Sequence, residues 1–293
     1  MKKILITGAL GQDGLILSKI LLKNKYKVFG IVKNYKKIRV EKVTYQKVNL
    51  SKINIIKKEF DKIKPDVIIH FGSENPSKNE YIKKTIFNNN YTIMINLIDY
   101  VKLNRRIKFI YSNSSQIFSH SVIKANENSK INSKNYYTKY RINALNYLLK
   151  NKKKYNLNCT NLILFNHDSK FRNKKFLLPR LIKSIKQKNY NFIKEIYSQN
   201  IQMDFSHAED ICYAVYLLIK NKKNPNNLIL SSGKITKINK LIDRYINKNF
   251  LNNIKIKKTK TGIIGNCNKA KRILGWKSKK NIFDAAQEIY NNS

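Results

Sequence analysis

Three glycines recur at three-residue spacing in Gly8-Ala9-Leu10-Gly11-Gln12-Asp13-Gly14. The apolar run Ile4-Leu5-Ile6 precedes them, and Leu15, Ile16, Ile20 and Leu21 follow at helical spacing, so the turn joins a strand to a helix. In such a turn the first glycine permits the tight bend, the second lets the backbone approach a pyrophosphate, and the third lets helix and strand pack closely. The unpaired N–H groups at the helix start then face the phosphates. A second constellation lies further along. Tyr137 and Arg141 are four residues apart in a helical segment, which places a phenol and a permanent cation on one face. A free tyrosine ionises at about pH 10, and a neighbouring positive charge brings the phenolate, a proton acceptor, closer to neutral pH. An offset pair, Tyr136 with Lys139, has three-residue spacing and stands beside it as an alternative.

The elements that must position these groups alternate. Strand-like runs at Val28–Val32, Val43–Tyr45, Val67–Phe71, Ile107–Tyr111 and Cys159–Phe165 are separated by helical patterns near 51–62, 93–101 and 137–150. Alternation at this spacing predicts an α/β fold with a doubly wound parallel sheet, a Rossmann fold with right-handed crossovers. After Asn166 the alternation weakens, leaving helices near 178–185, 208–219 and 283–290 and a strand at Leu228–Leu230. The expected organisation is a dinucleotide-binding domain over 1–165, to which segments near 203–232 return, and a smaller C-terminal substrate lobe over 166–293.

A net charge of +43 over 293 residues suggests nucleic acid at first sight. Only eight of the 60 basic residues are arginine, and the lysines are spread over every element beside abundant Asn and Ile. That pattern is expected of A/T-rich codons and solvated lysine faces, so no specific nucleic-acid partner is expected, although the charge attracts anionic ligands. Cys159, Cys212 and Cys267 are odd in number and widely spaced, which suggests neither a disulfide framework nor a zinc site; no metal is expected. No run of eighteen apolar residues argues for a membrane span, and the apolar start Ile4-Leu5-Ile6 is too short for an export signal. A cytoplasmic location is the expectation.

Cofactor choice is read at the end of the second strand, where a carboxylate accepts the ribose 2′-hydroxyl of NAD. Here the strand ends Ile31-Val32-Lys33-Asn34, with no carboxylate. Lys33, helped by Lys36 or Lys37, suits a 2′-phosphate, so NADP is the expected cofactor.

Several segments resemble one family. Thr7 to Gly14, with Gln12-Asp13 inside the glycine turn, is similar to the turn of the extended short-chain dehydrogenase/reductases, and of the GDP-mannose 4,6-dehydratase family in particular. Leu162-Ile163-Leu164-Phe165-Asn166-His167-Asp168-Ser169 resembles that family's I-L-F-N-H-E-S, with Arg172 at the expected distance. Asp204 to Asp210 is similar to D-W-G-H-A-K-D, and Gly265 to Trp276 to G-D-x-x-K-A-K-x-x-L-G-W.

The resemblance covers essentially the whole chain and implies an internal redox cycle on a nucleotide sugar. Hydride leaves C4 for NADP⁺, water is lost across C5 and C6, and hydride returns to C6 to give GDP-4-keto-6-deoxymannose from GDP-mannose. It implies cofactor contacts from Gly8, Ala9, Leu10, Gly11, Gln12, Asp13, Gly14, Lys33, Asn49, Leu50, Phe71, Gly72, Ser73, His167 and Arg172, and a substrate contact from Asn166. It also implies a homo-oligomer, dimer or tetramer. Asn49 stands where the family has Asp.

Three of the four catalytic positions differ from the family. Tyr137 matches its tyrosine, but Arg141 replaces a lysine. Ser114 takes the place of a threonine that bonds the C4 oxygen, and Gln116 takes that of the glutamate that moves the C5 and C6 protons. An amide cannot accept a proton, and losing such a group costs roughly 10²- to 10⁴-fold in rate. Glu74, after the strand end Phe71-Gly72-Ser73, is the candidate replacement carboxylate, although a solvated loop acid is the expected role. A related 4-reductase or epimerase, or a catalytically silent dinucleotide-binding homologue, are the alternative readings.

Overall fold

The computed structural model describes residues 1–74, 84–259 and 262–292, apart from the side chain of Ile86. Its centre is a seven-stranded parallel sheet. The strands are β1 (Lys3–Thr7), β2 (Lys27–Val32), β3 (Thr44–Lys47), β4 (Val67–His70), β5 (Lys108–Ser114), β7 (Cys159–Leu164) and β10 (Asn227–Leu230). Their spatial order is β3-β2-β1-β4-β5-β7-β10, with the chain reversing direction of growth between β1 and β4. That reversal opens a crevice at the strands' C-terminal ends, the usual ligand position of doubly wound sheets.

Strand composition follows from burial on both faces. Ile4, Leu5 and Ile6 are fully buried, and β4 and β7 are buried throughout, so apolar runs replace the polar alternation of a half-wet strand. Ile4, Ile6, Val28, Val32 and Ile69 point to one face, where helices α1 (Gln12–Lys23) and α7 (Ala208–Lys220) cover them. Leu5, Ile31, Ile68 and Phe109 point to the other, beneath α2 (Ile53–Ile63), α3 (Lys84–Leu103) and α4 (Tyr136–Tyr155). The start of α4 is set by Asn135 and Thr138, which form a reciprocal capping box.

A separate core lies against the strands' C-terminal side. It gathers Leu181, Ile182, Ile193, Leu241, Ile282 and Ala286 from α5 (Leu177–Lys186), α6 (Tyr190–Ser198), α8 (Ile238–Ile242) and α10 (Ile282–Asn291), together with Phe205 from the strand that follows α6. Beside it stands a three-stranded sheet in which β9 (Gln202–His207) pairs parallel with β8 (Asn166–Asp168) and antiparallel with β11 (Ile235–Lys237). A two-stranded pair joins β6 (Lys124–Ala125) to β12 (Ile264–Gly265). Buried Asp204 ties these pieces together, accepting hydrogen bonds from the backbone of Ser232, Gly233 and Gly265 at 2.8, 3.0 and 3.0 Å. Asp210 does the same for the chain after α9 (Asn268–Leu274), accepting from the Lys279 and Lys280 backbone at 2.6 Å each, while its own carbonyl accepts from Trp276 Nε1 at 2.9 Å. Two of the family-like segments are therefore fastened to their neighbours by side chains within them. Among the described residues, no helix is long and apolar enough to cross a membrane.

Candidate active site

A cavity of about 970 Å³ occupies the crevice, at the upper end of the roughly 300–1,000 Å³ typical of ligand pockets. One wall is the glycine turn, with Gly8, Leu10, Gly11, Gln12, Asp13 and Gly14. A second comes from the ends of β2 and β3, with Lys33, Asn49 and Leu50, and a third from Phe71, Gly72, Ser73 and Glu74 after β4. Phe171, Arg172, Lys175 and Phe176 complete it.

Geometry enforces the glycines. Gly8 has φ +70°, and a Cβ there would lie 2.8 Å from the Gly72 Cα; at Gly14 a Cβ would lie 2.6 Å from both the Cα and carbonyl oxygen of Ala9. Helix α1 starts at Gln12, and Gly11 before it supplies no side-chain cap, so the first-turn N–H groups face the cavity without a side-chain acceptor from that position. Because backbone, and not a movable side chain, opposes Gly14, Gly14→Ala is expected to destabilise the fold by roughly 1–3 kcal/mol, read as a lower denaturant midpoint.

Motifs more than 150 residues apart meet beneath this turn. Gln12 Nε2 donates to the His167 carbonyl at 3.1 Å, and Ser169 Oγ donates to Gln12 Oε1 at 3.1 Å. His167 Nε2 lies 3.2 Å from each Asp13 oxygen, and its Nδ1 lies 2.6 Å from the Phe165 carbonyl. Both ring nitrogens thus face acceptors, an arrangement that suits the doubly protonated imidazolium. Burial opposes both charges, but the partners outweigh it. The Asp13 carboxyl is held below, and the His167 imidazole above, its usual range. His167 does not itself line the cavity; it holds Asp13. Ala9 is likewise buried under the turn, against Gly30. Asn166 is exposed at the start of β8, outside the cavity lining, with its amide 3.4 Å from the Asp204 carbonyl. Asn49 does line the cavity, but its Oδ1 accepts from Ser51 N and Oγ at 3.0 and 2.6 Å in a local turn.

Arg172 reaches the cavity wall from an ion pair with Asp168, Nε to Oδ1 2.8 Å. Burial pushes the Asp168 carboxyl up to about 6, with the Arg172 charge working against it. A carboxyl raised on folding holds its proton longer in the native state, so stability falls as pH rises from about 4 to about 6. Asp168→Asn is expected to remove that part of the slope, measured by chemical denaturation across this window.

The second constellation is also assembled. Arg141 is only 4% exposed, and its guanidinium carbon sits 5.1, 4.9 and 5.8 Å from the ring centres of Tyr137, Tyr140 and Tyr111. Its Nη1 donates to the Ser112 carbonyl and, at 3.3 Å, to the Tyr111 hydroxyl. Burial opposes this cation, but the surrounding tyrosines outweigh it and keep it protonated. His70, stacked on Tyr111 and 2.7 Å from Thr7 Oγ1, is pushed down to about 3, first by burial and then by Arg141, and so stays neutral. Tyr136 and Lys139 are exposed, so the pair that α4 buries is Tyr137 and Arg141. Ser114 closes β5, where its Oγ accepts the Gln116 N–H at 3.2 Å; Gln116 is exposed in the short turn 115–117 that packs against α4.

None of Ser114, Gln116, Tyr137 and Arg141 lines the 970 Å³ cavity. The connection runs through Tyr140, whose hydroxyl donates to Ser73 Oγ at 2.8 Å, and Ser73 is part of the cavity wall. In the sequence Tyr140 is marked only by its position three residues after Tyr137, in register with buried Ala144 and Leu148. Asn90 carries no such mark, and its buried amide exchanges two hydrogen bonds with the Glu74 backbone. Glu74, the candidate replacement acid, is paired with Lys33 at 2.8 Å.

Comparisons with known proteins identify the family and the fold. The model of the NAD dependent epimerase/dehydratase family matches residues 4–231. The chain is 22% identical over 315 residues to GDP-mannose 4,6 dehydratase 1 of Arabidopsis thaliana, covering 95% of this chain and 86% of that protein. With the GDP-mannose 4,6 dehydratase of Homo sapiens it shares 23% over 339 residues, covering 97% and 89%. A crystal structure of dTDP-glucose 4,6-dehydratase from Bacillus anthracis in complex with NAD has a similar fold, with a TM-score of 0.83 at 15% identity over 99% of this chain and 96% of that one. The family model spans most of the chain, including the glycine turn, Tyr137 and the His167 segment that closes on Asp13, and on that ground the chain belongs to the NAD dependent epimerase/dehydratase family.

Proposed function

We propose that the protein is a nucleotide-sugar-modifying enzyme that binds NADP and oxidises the sugar at C4, with GDP-mannose as the substrate, in the manner of a GDP-mannose 4,6-dehydratase. The observation that carries this reading is the junction of the two constellations: Tyr140, one residue from Arg141 and three from Tyr137, bonds directly to Ser73 in the wall of the phosphate-turn cavity. The cavity fits a dinucleotide, since its glycines admit backbone where a Cβ would collide and an uncapped helix start faces it. When bound, the dinucleotide supplies a hydride acceptor and later a donor.

The chain's own part is proton handling and charge. Tyr137 accepts the proton of the sugar's C4 hydroxyl, the buried Arg141 cation lies against its ring, and Ser114 bonds the C4 oxygen. Arg172 and Lys175 on the cavity wall balance phosphate charge. The layers built from α5, α6, α8 and α10 hold the sugar nucleotide.

One observation favours a second reading. Gln116 is an exposed amide at the position expected to move the C5 and C6 protons, so a related 4-reductase or epimerase, which needs Tyr137 but no such acid, explains the same site. Incubation with GDP-mannose and NADP⁺, with the sugar product identified by mass, separates them. A mass lower by one water supports the dehydratase, an unchanged mass with inverted C4 supports the epimerase, and unchanged GDP-mannose rejects that substrate.

A further inference from the structure

The carboxylate missing from the end of β2 is present in the cavity on the loop after a different strand. Glu74, four residues beyond the end of β4, lines the same cavity as Lys33, and their charged groups meet at 2.8 Å across it. Glu74 is an exposed loop acid, as its sequence position suggested, but its backbone is held in place. Asn90 on α3, 2% exposed, donates from Nδ2 to the Glu74 carbonyl at 3.2 Å and accepts the Glu74 N–H at 3.1 Å, which fixes its backbone from both sides. Tyr140 fixes the preceding residue, Ser73, at 2.8 Å. Lys36, the neighbouring cation expected to help Lys33, is turned to the Leu10 carbonyl at 3.3 Å. The cation at the ribose-reading strand end therefore faces a carboxylate whose backbone is anchored.

We propose that Glu74 is the specificity-determining residue that weakens this protein's preference for a 2′-phosphorylated dinucleotide by competing with the phosphate for Lys33. The proposal rests on the dinucleotide reading above. A 2′-phosphate must displace or tolerate the Glu74 carboxylate to reach Lys33, whereas a 2′-hydroxyl can be accepted by that carboxylate. Wild type therefore binds NADPH only modestly more tightly than NADH, and the discrimination rises when the carboxylate is removed.

The test is fluorescence or calorimetric titration of the purified chain with NADPH and with NADH, for wild type, Glu74→Gln, Lys33→Met and the double variant, at low and at moderate salt. Glu74→Gln keeps the backbone bonds to Asn90 and is expected to raise the NADPH/NADH affinity ratio about three- to tenfold, less at the higher salt. Lys33→Met is expected to lower that ratio, and to abolish the effect of Glu74→Gln in the double variant. If Glu74→Gln fails to fold, an unchanged ratio in Lys33→Met overturns the proposal by itself. An unchanged ratio in a folded Glu74→Gln that binds both dinucleotides overturns the role of Glu74 alone. Absence of binding of either dinucleotide to wild type overturns both this role and the dinucleotide reading.

Discussion

Gln116→Glu is expected to accelerate the appearance of a 4-keto-6-deoxy sugar from GDP-mannose by roughly 10²- to 10⁴-fold, the contribution of a positioned acid–base group. The wild-type chain has an amide there, which donates and accepts hydrogen bonds but cannot take up the C5 proton. The candidate replacement acid does not take its place, since Glu74 is held against Lys33 at the cavity wall. The substitution is conservative in shape, and the exposure of Gln116 leaves room for a charge without desolvation. Product analysis by mass, with rates on both proteins, checks it. Equal rates would show that the elimination uses another group or does not occur.

Tyr137→Phe is expected to lower C4 oxidation by about 10²- to 10⁴-fold with little change in dinucleotide affinity, because Tyr137 does not line the cavity. The ring remains to pack against Arg141 and Tyr140, so the fold should persist. Tyr140→Phe provides the contrast. It removes the bond to Ser73 and should weaken dinucleotide binding while leaving the proton acceptor in place. Parallel titrations and single-turnover rates distinguish the two. A Tyr137→Phe variant with wild-type oxidation would remove the phenol from the chemistry.

The sheet was legible because its strands are buried on both faces. Ile4-Leu5-Ile6, Val67-Ile68-Ile69 and Leu162-Ile163-Leu164 can be read as strands from composition alone. Strand β9 was not, since buried Asp204, Ser206 and His207 give it a polar sequence; Asp204 is accommodated by backbone donors far along the chain. Helices α6 and α9 were also passed over, being nine and seven residues long among many lysines and asparagines. In the site, the glycine turn could be read because local geometry dictates it. The Asp13–His167, Lys33–Glu74 and Tyr140–Ser73 contacts could not, because each joins segments brought together only by the crossovers. The choice of Tyr137 with Arg141 over Tyr136 with Lys139 needed the helix's orientation on the sheet, which spacing alone leaves open.

The most direct measurement is single-turnover absorbance of the reduced nicotinamide after mixing NADP⁺-loaded protein with GDP-mannose. Oxidation at C4 requires the dinucleotide cavity and the Tyr137–Arg141 pair to act on one substrate. A rise in reduced-cofactor absorbance is predicted, reaching a sizeable fraction of the bound NADP⁺ and persisting because the slow elimination leaves the hydride unreturned. No absorbance change with GDP-mannose, from protein shown by titration to be loaded with NADP⁺, would contradict it.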